Sequence, residues 1–125
     1  MPGLRQPSVD REVVALTAST TLSNYDLGKT FTNRGASGSI TITLPTASGD
    51  NAGGEIRVRV VADQTVVVNS ATNDKIVIFN DAAADSVAWQ TSGEKIGGGG
   101  MFESDGTNWF FSAINAGANT VTTAT

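Results

Sequence analysis

The sequence predicts an all-β fold: a compact antiparallel β-sandwich or barrel-like domain preceded by an extended N-terminal arm. Three observations carry that expectation. Only 16% of the 125 residues are charged, while Thr, Ser, Asn and Gly are plentiful, a balance that suits strands and turns better than helices. Ile40, Ile42 and Leu44 alternate with Ser39, Thr41 and Thr43, the period of two of a strand with one buried face. Turn signals separate such runs, and the one helix-friendly stretch, Asp81-Ala82-Ala83-Ala84, is too short to hold a helix alone.

Each element follows in order. Residues 1–10 carry Pro2, Gly3 and Pro7; proline lacks a backbone donor and favours extended chain, so this segment is expected to be an arm outside the core, with Leu4 and Val9 as apolar anchors. Residues 11–115 are expected to form a single β-domain, and residues 116–125 a polar tail or an edge strand. Val13, Val14 and Leu16 make a first strand. Residues 16–45 read as strand, turn, strand, turn, strand, with turns at Asp26-Leu27-Gly28 and Asn33-Arg34-Gly35 that need a residue tolerant of positive φ. Pro45 ends this run, and residues 46–54 are a loop.

Residues 55–62 are a clear strand, with Ile56, Val58 and Val60 on one face and Glu55, Arg57 and Arg59 on the other. Residues 65–69 and 75–79 continue the pattern. A hairpin at Asp63-Gln64 and a polar turn over residues 70–74 would join the three into a meander. Val66-Val67-Val68 and Ile76-Val77-Ile78-Phe79 are apolar on both faces, which implies sandwich packing or cover from another subunit. Residues 80–85 are expected to be a loop or single turn. Residues 86–91 hold Val87 and Trp89, and residues 92–100 form a loop ending in four glycines. Asp105-Gly106, between Met101-Phe102-Glu103 and Trp109-Phe110-Phe111, is the strongest hairpin signal in the chain, and it sets Trp109 and Phe111 opposite Phe110.

The chemistry is sparse. The chain has no His and no Cys, which removes the usual general base, the thiol nucleophile and the best transition-metal ligands. A formal net charge of −4 argues against nucleic-acid binding, which needs clustered Lys and Arg. The first residues lack the apolar core of a secretory signal, and no stretch approaches the roughly 20 apolar residues that span a bilayer, so no membrane partner is expected. Asp81 with Asp85, or Glu103 with Asp105, read as turn or solvent-facing carboxylates rather than a calcium or acid–base site. Gly28-Lys29-Thr30 copies the end of a phosphate-binding loop, but Ser23 stands where its first glycine belongs. Gly97 to Gly100 precede a strand, not the helix that holds pyrophosphate. No cofactor, metal or small-molecule substrate is expected, and the chain is not expected to be an enzyme. Tyr25, Trp89, Trp109 and Phe110 offer an aromatic sugar platform or, preferably, core and interface packing.

The string T-L-x-x-x-D-x-G-K-T-x-T-N-x-G-A-x-G from Thr21 to Gly38, followed by I-T-I-T-L-P, resembles a small β-domain of tailed-bacteriophage virion proteins, found in head decoration (cement) proteins and in tail-fibre or spike segments. The turn Asp105-Gly106-Thr107-Asn108-Trp109 is similar to a D-G-x-x-W turn near the family's end. The resemblance implies a capsid decoration protein that assembles as a homotrimer and binds the major capsid protein on the outer head surface at threefold or quasi-threefold positions. It would stabilise the expanded shell, and would be found on the virion after synthesis in the host cytoplasm. The alternative it implies is a receptor- or glycan-binding module of a tail fibre or spike. On this reading the arm residues Leu4, Arg5, Val9 and Arg11 contact the capsid. Arg57, Arg59, Trp109 and Phe110 are the expected subunit-interface residues.

Overall fold

Val13–Ala15 (β1), Thr20–Thr21 (β2), Thr30–Thr32 (β3), Ile40–Thr43 (β4), Glu55–Arg59 (β5) and Val66–Asn69 (β6) pass alternately between two sheets that share one apolar core. The computed structural model describes residues 12–114 and 119–125. Among these, β1, β3 and β5 pair in parallel in one sheet, and β2, β4 and β6 pair in parallel in the other. The first half of the domain therefore winds as a short coil, laying each turn beside the last. The second half runs back against it. Ile76–Ile78 (β7) and Asp81–Ala84 (β8) lie at the far side of the first sheet, and Ser86–Trp89 (β9) pairs antiparallel with β6. Gly99–Ser104 (β10) is antiparallel to β5, and Trp109–Ala113 (β11) returns from it as a hairpin and meets β7 in parallel. Thr122–Ala124 (β12) closes the edge beside β9.

The result is a seven-stranded sheet, ordered β1-β3-β5-β10-β11-β7-β8, packed on a five-stranded sheet, ordered β12-β9-β6-β4-β2. This is the expected all-β sandwich, although its sheets are mixed rather than purely antiparallel. The alternation seen in sequence decides which side chains turn inward. Ile56 and Val58 of β5, Ile40 and Ile42 of β4, and Val66 and Val68 of β6 are all buried, each contributing on the order of 1.5–3 kcal/mol by leaving water. Residues 122–124 resolve the choice left open for the tail, since they form an edge strand.

Three sequence expectations are corrected. Strands β5, β6 and β7 do not form a meander: β6 belongs to the opposite sheet, while β10 and β11 separate β5 from β7. Residues 63–64 thus join two layers instead of closing a hairpin. Alternation names the buried face of a strand but not its neighbour, and each of these strands presents that face across the core. Residues 81–84 form a strand, not a loop, because pairing with β7 outweighs the weak strand propensity of alanine.

The third correction concerns the glycine run. Gly99 and Gly100 belong to β10, where a side chain would not fit. A Cβ on Gly99 would lie 2.5 Å from the Val58 carbonyl oxygen, and one on Gly100 would strike the Phe111 ring. That ring packs on Phe102 and Trp89, with centroids 4.9 and 5.8 Å away. Gly100 makes room for this aromatic cluster, and Gly99 for the close approach of β5.

Between β7 and β8, Ile78 pairs with Asp81, leaving Phe79 and Asn80 as a two-residue turn. Both have positive φ, 50° and 64°, as a type I′ hairpin turn requires. Phenylalanine is ill suited there, and it is 65% exposed. Phe79→Asn is expected to raise stability by about 1 kcal/mol, the approximate cost of holding a bulky L-residue in the left-handed region. A higher urea midpoint at unchanged slope would show it; an unchanged or lower midpoint would refute it.

Candidate functional site

The motif-bearing segment is built from local devices. Ser23 and Asp26 cap a short 3-10 turn reciprocally: the Ser23 N–H donates to Asp26 Oδ2 at 2.9 Å, and the Tyr25 N–H donates to Ser23 Oγ. Lys29 Nζ donates to Asp26 Oδ1 at 3.1 Å and lies 3.6 Å from Glu12. Burial works to raise the Asp26 pKa, but the Ser23 N–H and the Lys29 ammonium outweigh it and hold the group below its ordinary value. The Lys29 pKa is raised, first by its hydrogen bond to Asp26 and further by Glu12. Gly28 and Gly35 both have φ of 87°, as their turn positions suggested.

Asn33 joins successive coils. It is buried, its Oδ1 accepts from the backbone N–H groups of Val61 and Ala62 at 2.8 and 2.9 Å, and its Nδ2 donates to the Ala62 carbonyl at 3.1 Å. Buried Asn51 is a second polar pin. Its Nδ2 donates to Asn24 Oδ1 and the Thr46 carbonyl, while its Oδ1 accepts from the Ser48 N–H and Ser104 Oγ. The distant hairpin turn is built in the same manner. Asp105 Oδ1 accepts from the N–H groups of Asn108 and Thr107, which holds its carboxyl below the usual aspartate range. These polar groups shape turns. Among the described residues no group of three or more acidic, His or Cys side chains is placed to hold a metal ion, and no helix is long and apolar enough to cross a membrane.

What the structure does assemble is a surface. The register across the seven-stranded sheet sets Thr30, Arg57, Met101 and Ser112 in one row, and Glu55, Glu103, Phe110 and Val77 in the next. Arg59 lies one row further along β5. All but Ser112 have a buried residue beside them in their strand, and Ser112 shares the register row, so they lie on the outer face of the sheet. Three of the four residues expected at a subunit interface, Arg57, Arg59 and Phe110, are thereby brought together. Arg57 also lies 3.4 Å from Glu55.

Trp109 is the exception and a correction to the sequence reading. It is fully buried, and its indole N–H donates to the Pro45 carbonyl at 2.8 Å, so it has no surface to offer a partner. Phe110 is the next residue in the strand, and adjacent strand residues point to opposite faces. Of the other aromatics, Trp89 is also buried while Tyr25 is exposed, so the four do not form one platform. Leu4, Arg5, Val9 and Arg11 lie outside the described residues.

Sequence reasoning missed Met101 and Val77 as members of this face. The signal was present in the alternation of Met101 with Phe102 and of Val77 with Ile76 and Ile78, but only strand pairing places the two near Phe110. Comparison with protein-family models and with curated protein sequences finds no match to this chain.

Proposed function

We propose that the chain is a bacteriophage head decoration, or cement, protein: a β-domain that assembles as a homotrimer and binds the major capsid protein on the outer head surface at threefold or quasi-threefold positions. The observation that carries this reading is how the two motif segments meet. The segment from Thr21 to Pro45 and the turn from Asp105 to Trp109 are far apart in sequence, yet the Trp109 indole donates to the carbonyl of Pro45. Asn51 further ties Asn24 of the first segment to Ser104 at the edge of the second. The residues that resemble the phage domain thus form one connected unit, as inheritance of a whole domain requires.

The mechanism is mechanical and involves no covalent chemistry. A subunit that spans neighbouring capsid proteins adds buried interface at each junction, and one that binds the expanded shell more tightly than the unexpanded one stabilises it by mass action. The test is binding to purified expanded heads that lack the protein, followed by electron microscopy. Saturable density at threefold positions and a raised rupture temperature of the heads are expected. No binding at micromolar protein would overturn the reading, and binding to host-surface glycans instead would favour the tail-fibre alternative.

A further inference from the structure

Asp105-Gly106 is the only Asp-Gly or Asn-Gly step in the chain, and it carries a chemical hazard. With no side chain on the following residue to hinder it, the Gly106 nitrogen can give up its proton to solvent and bond to Asp105 Cγ. A carboxyl oxygen leaves as water, and a five-membered succinimide closes. Water then opens the ring. Attack at Cγ restores aspartate, whereas attack at the main-chain carbonyl breaks the carbon–nitrogen bond there and leaves Gly106 joined through Cγ, as isoaspartate. The main chain is then one carbon longer at the tip of the β10–β11 hairpin, just before Trp109, whose indole holds Pro45. The turn itself demands this pair. Gly106 has a φ of 96°, which favours glycine, and Asp105 supplies the acceptor that folds the turn. Nor does burial shield the step, since Asp105 is exposed.

We infer that Asp105-Gly106 is a backbone-isomerisation site held shut in the native fold by three hydrogen bonds, two on the carboxylate and one on the attacking nitrogen. Asp105 Oδ1 accepts from the Asn108 N–H at 2.7 Å and the Thr107 N–H at 2.8 Å. These donors draw the carboxylate toward residues 107 and 108 and favour its ionised form, which does not lose water as the neutral acid does. The Gly106 N–H is committed upstream, to Ser104 Oγ at 3.1 Å. Ser104 is buried, and its hydroxyl donates in turn to Asn51 Oδ1 at 2.7 Å, so its position is set from outside the turn. Ring closure requires the nitrogen and the carboxylate to leave these partners for each other. The site therefore reacts only when the turn opens, at a rate set by how often that happens. None of this depends on the decoration reading above.

The test incubates the full chain at mildly acid pH and body temperature and measures isoaspartate at residue 105 by peptide mapping with electron-transfer mass spectrometry. In folded wild type it is expected to form at least about a hundredfold more slowly than in the same chain in denaturing urea, the factor that three net hydrogen bonds support. Ser104→Ala, which frees the Gly106 N–H, is expected to speed it about fivefold. Asn33→Ala, destabilised at the opposite end of the sheet, separates local protection from global stability and is expected to keep the wild-type rate. Hydrogen exchange gives a readout that needs no variant: the Gly106 amide of wild type should be protected. Equal rates in folded and unfolded wild type would overturn the inference, as would a Gly106 amide that exchanges as in a free peptide. So would a Ser104→Ala rate equal to that of wild type, or an Asn33→Ala rate raised as far as that of Ser104→Ala.

Discussion

Trp109→Ala is expected to cost about 4 kcal/mol of folding stability, a large share of the roughly 5–15 kcal/mol available to a domain. The indole is fully buried where β11 pairs with β10 on one side and β7 on the other, so truncation opens a cavity beneath the middle of the seven-stranded sheet. It also strips the Pro45 carbonyl of its donor. Trp109→Phe separates the two effects: it retains most of the apolar volume but loses the hydrogen bond. Its cost is expected at about 2 kcal/mol, because a buried acceptor left unpaired loses about 1–3 kcal/mol. Trp89 supplies the control. Its indole N–H is buried with no hydrogen-bond partner among the described residues, so Trp89→Phe removes an unpaired donor and should cost less than Trp109→Phe. Urea denaturation of the three variants measures this, and equal costs for the two phenylalanine variants would show that the Pro45 bond contributes nothing.

Asn33→Ala is expected to cost about 3 kcal/mol, although it removes few apolar contacts. The side chain satisfies three backbone groups of the next coil, the N–H groups of Val61 and Ala62 and the Ala62 carbonyl. Each unpaired group costs about 1–3 kcal/mol when fully buried. Val61 and Ala62 are only partly buried, so water recovers part of that loss and the sum falls at the low end. Asn33→Ser is not expected to restore stability, since a hydroxyl is too short to repeat the fork of acceptor and donor. Hydrogen exchange offers a sharper readout. The Val61 and Ala62 amides should lose protection in Asn33→Ala while the Phe102 amide, deep in β10, follows global stability. Unchanged protection at residues 61 and 62 would reject the proposed coil-to-coil link.

The Asn33 result also shows how far the sequence could be read. Asn33-Arg34-Gly35 was legible as a turn because Gly35 permits positive φ, a local property. That Asn33 stitches two coils together was not legible, because its partners are 28 and 29 residues away. The same division holds at the surface. Arg57 and Arg59 were readable as an outward pair, and Phe110 as opposite to Trp109, from the period of two. Whether these outward residues share one face depends on β5, β10 and β11 lying side by side. Residues 81–84 failed for a related reason: an alanine run has no strong local preference for a strand, so β7 makes the decision.

By itself, the sequence determined the all-β class, the inward and outward side of almost every strand, most of the turns, and the scarcity of groups able to do covalent chemistry. These follow from backbone sterics and from the burial of apolar side chains, and both act within a few residues. Only the tertiary structure decided that the early strands wind as a parallel coil, that β10 and β11 part β5 from β7, and that Trp109 is core while Arg57, Arg59 and Phe110 share a face. Strand pairing depends on which backbone edges meet across the folded molecule, and any edge presents much the same donors and acceptors to another. That choice is settled by the packing of the whole core, and no short window of sequence records it.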